Sequence, residues 1–329
     1  MKIAAITGIM GQDGSYLAEF LLDKGYFVLG LYRRTSTEDS LRFDNIKHLL
    51  DNKNLKLIEA DVTDYFSIQN VFREYKIDEF YNLAAQSHVG VSFFSPGITH
   101  HINSTGVLNC LEAIRALSPT TRFYQASTSE LFGDNTNAPQ NENTLFQPVS
   151  PYACSKLCGH NFVVNYRKAY GLHLSSGILF NHESPRRGEK FVTKKVTKAV
   201  ARIKLGLQKK LVLGNLEAMR DWGYTKEYVE AMWLMLQQDV SDDYVIATGE
   251  THSVQELVEY TFSLAGLDWR EYVEVSKSEM RPSDVPLLCG DASKAKSKLG
   301  WEAKTKFKEL IKLMYDYDLE SEKKRIKYV

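Results

Sequence analysis

The chain has 329 residues, of which 43% are hydrophobic and 25% charged, a composition that excludes a largely disordered protein and predicts a folded globular one. Lysine and arginine together number 41, as do aspartate and glutamate, so no net charge favours non-specific binding to nucleic acid or to an anionic membrane. The length predicts one large domain carrying a second lobe, and the balanced charge favours a discrete small ligand.

The four cysteines, Cys110, Cys154, Cys158 and Cys289, fit neither a disulfide framework nor a paired zinc motif. Cys154 and Cys158 stand four apart and could hold half a metal site, but no second pair completes it, so we expect no metal. The N-terminus has too few apolar residues for a signal peptide, and no stretch reaches the ~20 apolar residues of a membrane span. The sequence therefore predicts a cytoplasmic protein with no membrane partner.

The first 180 residues alternate short apolar runs with longer amphipathic segments. The apolar runs predict six strands, at Lys2–Ile6, Phe27–Leu31, Leu55–Glu59, Phe80–Leu83, Arg122–Ser127 and Leu174–Ile178. Helices are predicted between them, one from near Ser15 to Gly25 and one from Pro151 with Ser150 as its cap. This alternation is typical of an α/β fold with a doubly wound parallel sheet and helices on both faces.

After Phe180 the alternation gives way to a loop, a lysine-rich helix and a short strand near Leu211–Leu213. The pattern predicts a first domain over residues 1–180 and a smaller mixed α/β lobe over residues 181–329. Segments between about 220 and 260 are expected to return and pack against the first domain. These are Asp221–Asp239, Val245–Ala247 and Ser253–Ala265.

The first predicted strand leads into a loop that contains Gly8, Gly11 and Gly14, and a helix follows directly. In this order of elements, glycine lets phosphates approach the backbone while the free N–H groups at the helix start face them. Glycines also occur in ordinary turns, but the order of a strand, a glycine loop and a helix favours a dinucleotide-binding loop.

Two arginines, Arg33 and Arg34, follow the second predicted strand, where NAD-binding folds usually place a carboxylate. Because a guanidinium binds a phosphate through two hydrogen bonds, this position favours NADP, with its 2′-phosphate, over NAD. The alternative is that both arginines only cap an exposed strand end. Residues after the third and fourth strands are expected to flank the adenine and the inner ribose: Asp61, Val62, Leu83, Ala84, Ala85, Gln86 and Ser87.

Tyr152 and Lys156 stand one helical turn apart, so both side chains leave the same face of the predicted helix. A lysine ammonium close to a phenol favours the phenolate, so we expect Lys156 to lower the pKa of Tyr152 and make it a usable base. The segment Ser127–Glu130, after the fifth predicted strand, brings a hydroxyl and a carboxylate to the same crevice. The spacing of Tyr152 and Lys156 alone occurs by chance in many helices, but its combination with Ser127–Glu130 and the glycine loop is specific.

Longer segments carry a resemblance along nearly the whole chain, among them ITGIMGQDGSYLAEFLL, QASTSELFG, SPYACSK, GILFNHESPRRGEKFVT, RDWGYTKEYVEAMW and RPSDV. They resemble the GDP-mannose 4,6-dehydratases, which belong to the extended short-chain dehydrogenase/reductase superfamily and have a Rossmann fold. The motifs NHESPRRGE and RDWG are more particular to that family than any glycine motif. The resemblance implies an NADP-dependent hydro-lyase, a GDP-linked sugar as substrate, and a homodimer or homotetramer.

The resemblance also implies roles for individual residues. The catalytic set would be Thr128, Glu130, Tyr152 and Lys156. The NADP contacts would be Gly8, Met10, Gly11, Gln12, Asp13, Gly14, Arg33, Arg34, Thr35, Ser36, Asp61, Val62, Leu83, Ala84, Ala85, Gln86, Ser87, Lys156, His182 and Arg187. The GDP-sugar contacts would be Ser87, Asn181, Val192, Thr193, Lys195, Gly214, Asn215, Arg220 and Arg281.

The implied reaction converts GDP-D-mannose to GDP-4-keto-6-deoxy-D-mannose by internal hydride transfer through bound NADP and loss of water. Tyr152 would take the proton of the 4-hydroxyl, Thr128 would hydrogen-bond the same oxygen, and Lys156 would hold the cofactor ribose. The ketone acidifies the neighbouring C5 hydrogen, so Glu130 would remove it and then help the 6-hydroxyl to leave as water.

Three other functions stay open. Phe132, Ile98 and the loop Glu38–Asp44 depart from the family pattern and could admit a larger sugar, which makes a GDP-D-glycero-D-manno-heptose 4,6-dehydratase the first alternative. A nucleotide-sugar epimerase or reductase of the same fold would use Tyr152 and Lys156 but needs no carboxylate at Glu130. A non-catalytic, cofactor-sensing protein is disfavoured because both Tyr152 and Lys156 are present.

Overall fold

The computed structural model describes residues 1–34, 43–135 and 137–327, except the side chain of residue 327. The helices in these ranges are α1 Gln12–Asp23, α2 Tyr65–Glu74, α3 Val89–Ser92, α4 Pro96–His100, α5 Gly106–Leu117, α6 Pro151–Tyr170, α7 Val192–Lys204, α8 Thr225–Gln237, α9 Val254–Ala265, α10 Ser293–Leu299 and α11 Phe307–Lys327. The strands are β1 Ile3–Thr7, β2 Phe27–Tyr32, β3 Leu55–Glu59, β4 Glu79–Asn82, β5 Arg122–Ala126, β6 Leu174–Leu179, β7 Asn181–Glu183, β8 Leu211–Leu213, β9 Met219–Arg220, β10 Trp222–Tyr224, β11 Asp243–Ile246, β12 His252–Ser253 and β13 Val273–Val275.

Seven parallel strands form the central sheet, in the order β11-β6-β5-β4-β1-β2-β3. All six predicted strands are present, and each end lies within one residue of its predicted position. The chain moves outward from β1 in both directions, first to β2 and β3 and then to β4 and beyond. The doubly wound sheet is confirmed, and its crevice opens where the order reverses, at the carboxyl ends of β1 and β4.

Strands β1 and β2 are nearly continuous apolar runs, as expected for strands of a parallel sheet that helices cover on both faces. In β1, Ala4, Ala5 and Ile6 have no exposed surface. Apolar side chains of α1 and α8 form the core on one face, and those of α2, α5 and α6 form the core on the other. The two buried faces hold the strand ends, and therefore the crevice, in a fixed position.

Helix α6 begins and ends as its sequence indicates. The Ser150 hydroxyl accepts a hydrogen bond from the N–H of Ala153, and Pro151 occupies the first turn. Gly171, with a φ of 65°, ends the helix in the left-handed conformation that favours glycine. Tyr152 and Lys156 therefore lie in the first two turns of a 20-residue helix packed against the sheet.

The second lobe has its own core between α7, α9 and α11, with the short strands β8 and β13 beside it. Helix α8 packs on α1, and β11 pairs with β6, so this part of the later chain lies against the sheet. The expectation that Ser253–Ala265 also returns is wrong, because α9 buries Leu257, Val258 and Phe262 in the core of the second lobe. No helix within the described ranges is both long and apolar enough to cross a bilayer.

Candidate active site

A cavity of about 1050 Å³ runs along the carboxyl ends of β1 to β6 and continues between the sheet and the second lobe. Of the predicted site residues that the structure describes, all but Arg34, Gln86 and Thr193 line it. Thr35 and Ser36, and residues 38–42 of the loop Glu38–Asp44, lie outside the described residues. The structure therefore brings the cofactor, substrate and catalytic candidates into one space.

The glycine loop is shaped so that a larger side chain would not fit. Gly8 has a φ of 69°, in the left-handed region. A Cβ on Gly14 would lie 2.4 Å from the carbonyl oxygen of Gly8 and 2.6 Å from Cα of Ile9. This close approach places the N-terminus of α1 at the cavity wall, an arrangement that fits the pyrophosphate of a dinucleotide.

An ion pair joins the glycine loop to β7. Nε2 of His182 lies 2.8 Å from Oδ2 of Asp13, and its Nδ1 lies 2.8 Å from the carbonyl oxygen of Phe180. Burial alone would raise the pKa of Asp13, but the charge of His182 and its hydrogen bond lower that pKa to about 2. Burial also tends to lower the pKa of His182, and the Asp13 carboxylate outweighs it and raises that pKa. The pair fixes the loop against the strand that carries Asn181.

The two arginines after β2 differ in position. Arg33 lines the cavity, whereas the guanidinium of Arg34 lies 3.7 Å from the carboxylate of Glu59 and is 80% exposed. Asn45 also lines the cavity, and its amide donates to the carbonyl oxygen of Met10 at 3.0 Å. The sequence analysis missed Asn45, because no local pattern marks a residue that reaches the glycine loop from 35 positions away.

Four catalytic candidates meet where β5 ends beside α6. Thr128 caps a short turn, and its hydroxyl accepts the N–H of Glu130 at 3.2 Å. The ammonium of Lys156 donates to the carbonyl oxygen of Ala126 at 3.0 Å and lies 6.0 Å from the ring centre of Tyr152. All four side chains border the cavity and are buried.

Burial controls the proton affinity of the tyrosine and the lysine. It raises the pKa of Tyr152 to about 12, against a lowering hydrogen bond with Thr128. It lowers the pKa of Lys156 to about 8. The expectation that Lys156 lowers the pKa of this phenol is therefore wrong, because burial raises that pKa and the ammonium binds a backbone carbonyl.

Glu130 is a buried carboxylate in a wall that also carries positive charge. Burial raises its pKa, the charges of Arg220 and Arg281 oppose that rise, and Asp284 adds to it. A carboxyl group whose pKa is moved toward neutrality can both accept and return a proton, which suits a group that acts first as base and then as acid.

Three basic residues predicted to face the substrate are ion-paired. Nζ of Lys195 lies 2.6 Å from Glu279, and Asp284 lies 2.9 Å from Arg220 and 3.1 Å from Arg281. The sequence analysis missed both carboxylates as site residues. Asp284 stands within the quoted segment RPSDV, which was the available signal, whereas nothing in the sequence marked Glu279.

Two predicted contact residues turn away from the cavity. The hydroxyl of Thr193 donates to the carboxylate of Glu183, and Thr193 has no exposed surface. The amide of Gln86 donates to Thr99 at 3.0 Å and to the carbonyl oxygen of His88 at 3.2 Å. These hydrogen bonds stabilise Glu183 and His88, which line the cavity.

Two residues expected to enlarge the sugar pocket also lie elsewhere. Phe132 is fully buried among Phe146, Phe180 and other apolar residues, and Ile98 is about half exposed on α4. Neither Phe132 nor Ile98 lines the cavity, so neither widens it.

Comparison with known proteins gives a consistent result. The family model described as GDP-mannose 4,6 dehydratase matches residues 5–314. The chain is 54% identical over 330 residues to GDP-mannose 4,6 dehydratase 2 of Arabidopsis thaliana, a match that covers 98% of this chain and 88% of that relative.

Solved structures of other nucleotide-sugar enzymes share the fold. UDP-glucose 4-epimerase of Thermotoga maritima, solved with UDP-glucose, is 26% identical with a TM-score of 0.85, and the match covers 97% of this chain and 99% of that one. UDP-glucose 4-epimerase of Thermus thermophilus, a complex with NAD, is 26% identical with a TM-score of 0.83 and coverage of 96% and 98%. Because epimerases have this fold, the fold alone does not identify the reaction.

Proposed function

Because the chain belongs to the GDP-mannose 4,6-dehydratase family, we propose that it performs that reaction with NADP as cofactor and with Thr128, Glu130, Tyr152 and Lys156 as its catalytic groups. The activity is that of a hydro-lyase, which converts GDP-D-mannose to GDP-4-keto-6-deoxy-D-mannose with loss of water. The cofactor belongs to the nicotinamide dinucleotides, of which NAD is bound by a solved protein of this fold.

The first half of the reaction depends on Tyr152. A nicotinamide dinucleotide supplies a reversible hydride acceptor when it is bound along the glycine loop. Tyr152 takes the proton of the sugar 4-hydroxyl as the phenolate, a form that its hydrogen bond with Thr128 favours. The hydroxyl of Thr128 orients the same sugar oxygen. One of the three N–H donors of Lys156 goes to Ala126, which leaves others for the hydroxyls of the cofactor ribose.

The second half depends on Glu130. A ketone at C4 makes the C5 hydrogen acidic, and the carboxylate of Glu130 removes it. The protonated Glu130 then gives that proton to the departing 6-oxygen, which leaves as water. The hydride taken from C4 would then be returned to C6 and a proton to C5, so the sugar undergoes no net oxidation and the cofactor is regenerated. The raised pKa of Glu130 supports both roles, since the group must hold the proton between the two steps.

The observation that carries this proposal is the buried carboxylate of Glu130 in the same cavity as Tyr152. An epimerase needs no such base, because it returns the hydride to the carbon from which it came. NADP is supported by Arg33 in the cavity wall, since a guanidinium suits the 2′-phosphate.

Incubation of the purified protein with GDP-mannose, followed by mass spectrometry, tests the reaction. We expect a product that has lost one water. A product of unchanged mass and altered configuration would indicate an epimerase, and no product would contradict the proposal.

The sugar is tested by comparing kcat/KM for GDP-D-mannose and GDP-D-glycero-D-manno-heptose under the same conditions. We expect GDP-mannose to be preferred, because Phe132 and Ile98 do not widen the cavity. Discrimination by a pocket against one small group is worth only about 1–3 kcal/mol. A preference of about tenfold for the heptose, near the lower end of that range, would overturn the choice of sugar and leave the reaction type in place.

A further inference from the structure

Three side-chain contacts attach the glycine loop to β7 and to the residue after it. Nε2 of Gln12 donates to the carbonyl oxygen of His182 at 3.1 Å, and the hydroxyl of Ser184 donates to Oε1 of Gln12 at 2.7 Å. The third contact is the ion pair of Asp13 and His182, at 2.8 Å. Of these three contacts, the ion pair is the one between charged groups, so it bears on how the loop receives an anion.

Both ring nitrogens of His182 face hydrogen-bond acceptors. Nε2 lies 2.8 Å from Oδ2 of Asp13, and Nδ1 lies 2.8 Å from the carbonyl oxygen of Phe180. Because neither a carbonyl oxygen nor an ionised carboxylate can donate, both nitrogens must carry a proton, and the ring is an imidazolium. The ring also stacks on that of Tyr228 in α8, with centroids 4.8 Å apart. Both N–H groups are therefore used within the protein.

Asp13 brings a negative charge to a site suited to an anion. It is the second residue of α1, and its carboxylate is 23% exposed at the cavity that Gly8 and Gly11 also line. A pyrophosphate at the N-terminus of α1 would be repelled by this carboxylate, since charges interact strongly where water is largely excluded. One oxygen of Asp13 accepts from Gln12 at 3.0 Å and the other accepts from His182. The imidazolium thus both fixes the carboxylate and offsets its charge.

We propose that His182 is a positioning residue that acts on the dinucleotide through Asp13: its imidazolium holds that carboxylate and cancels its charge, so that the glycine loop accepts a pyrophosphate. The inference rests on the proposed function, because it takes a nicotinamide dinucleotide as the ligand of the loop. It assigns the side chain of His182 an indirect role, since both of its N–H groups already have partners. Loss of the His182 proton would leave Asp13 uncompensated.

Binding of the dinucleotide should therefore depend on pH. The Asp13 carboxylate raises the pKa of His182 against burial and the charge of Arg187, and Asp13 itself has a pKa of about 2. The pair is intact below the raised pKa of His182 and is lost as the pH rises through it, while Asp13 stays ionised. Other titratable or charged groups around the pair are Glu183 of β7, Arg187 of the loop that follows, Tyr228 of α8, and Tyr152 and Lys156 of α6.

The first test measures NADP binding by calorimetry near neutral pH. His182→Gln keeps an amide donor for Asp13 but removes the positive charge, so we expect it to weaken NADP about tenfold or more. Adding Asp13→Asn to His182→Gln removes the uncompensated carboxylate and should restore NADP affinity to within about threefold of the unaltered protein. Ser184→Ala is the matched control: it removes an uncharged contact of the same loop and should cost only about threefold.

The second test follows NADP affinity from about pH 6 to about pH 9, a range that begins near the usual histidine pKa. The double variant Asp13→Asn/His182→Gln is the reference, because ionisation of the ligand's own 2′-phosphate and of Lys156, with a pKa of about 8, affects both proteins. We expect the affinity of the unaltered protein, relative to that reference, to fall by up to about tenfold as the pH rises.

A double variant that binds NADP as weakly as His182→Gln alone would show that His182 contacts the cofactor directly, and would overturn the proposal. Parallel pH profiles of the unaltered protein and the double variant would overturn it as well. Circular dichroism shows whether each variant folds; if His182→Gln does not, the pH profile of the unaltered protein is compared with that of Asp13→Asn, with the same expected difference. Failure of the unaltered protein to bind either NADP or NAD would instead contradict the proposed function.

Discussion

At the scale of single residues, burial has more influence than neighbouring charge on the pKa values of three catalytic candidates. Tyr152, Lys156 and Glu130 all have pKa values displaced toward their neutral forms, and burial is the largest cause in each case. Such displacement is typical of groups that exchange protons during a reaction. It also makes the site sensitive to substitutions that alter the charge of one residue and preserve its shape.

Glu130→Gln preserves shape and removes the base. We expect binding of NADP and GDP-mannose to persist while the rate of dehydration falls by about 10²–10⁴, the usual loss when a general base is removed. Calorimetry measures binding, and mass spectrometry measures the dehydrated product over time. Near-normal turnover in this variant would remove Glu130 from the mechanism and favour the epimerase alternative.

The pH dependence of kcat/KM reports the same carboxyl group in the free enzyme. Glu130 must be deprotonated to act as base, so activity falls as the pH falls through its pKa. Because burial raises that pKa, the acidic limb should lie above the usual glutamate value of about 4.3. A limb at or below that value would show that Glu130 is not the titrating base.

The two arginines after β2 should differ in their effect on the cofactor. Arg33→Ala should weaken NADP much more than NAD, because Arg33 lines the cavity and only NADP carries the 2′-phosphate. Arg34→Ala is the matched control and should have the smaller effect, since Arg34 lies beside Glu59. The dissociation constants of both variants for NADP and NAD test this prediction. Equal weakening of NADP and NAD binding by Arg33→Ala would contradict it.

At the scale of whole elements, the last helix supports one wall of the site. Helix α7 contributes Val192 and Lys195 to the cavity. Its other face is held to α11 by a buried ion pair between Lys194 and Asp318, and the hydroxyl of Thr197 donates to the same carboxylate at 2.7 Å. The ammonium of Lys194 also donates to the carbonyl oxygen of Pro185 at 2.8 Å. The C-terminal helix is thereby connected to the loop that precedes α7.

Asp318→Ala should be strongly destabilising, since it leaves the ammonium of Lys194 buried beside Thr197 without its partner. Breaking a buried pair in this way costs about 3–5 kcal/mol of unfolding free energy. Asp316→Ala is the matched control on the same helix: its pair with Lys312 is more than half exposed on both sides and should contribute only about 0–1 kcal/mol. Urea denaturation measures both variants, and equal losses of stability would contradict the prediction.

At the scale of the whole molecule, a cavity is enclosed between a rigid sheet and a lobe with a separate core. The sheet presents the ends of β1 to β6, and the second lobe contributes α7 and the segment 277–286. The side of the cavity formed by the sheet is thus suited to the cofactor, and the side formed by the second lobe is suited to the sugar nucleotide. Separate cores allow the two halves to be stabilised independently.

The resemblance to the dehydratase family predicts that this molecule assembles as a homodimer or homotetramer. Light scattering on the purified protein at the concentration used for activity measures its mass. We expect two or four times the mass of 37.5 kDa. A mass of one chain under those conditions would contradict the prediction.

The amino-acid sequence by itself determined the sheet, the glycine loop, the order of the catalytic candidates and the family. Each of these is encoded locally: apolar runs predict strands, the spacing of Gly8 to Gly14 places a loop before a helix, and Tyr152 and Lys156 share a helical turn. The spacing of residues within one strand, loop or helix does not depend on how the elements pack together, so these features can be predicted from the sequence alone.

Only the tertiary structure decided which groups meet. Asp284 lies 64 positions from Arg220 in the chain, and Asn45 lies 35 positions from Met10, so no local pattern pairs them. Thr193, Gln86 and Phe132 were expected at the site, yet their partners hold them behind or away from the cavity wall. The pKa of Tyr152 rises because burial outweighs the hydrogen bond with Thr128, and burial depends on every element packed around the residue.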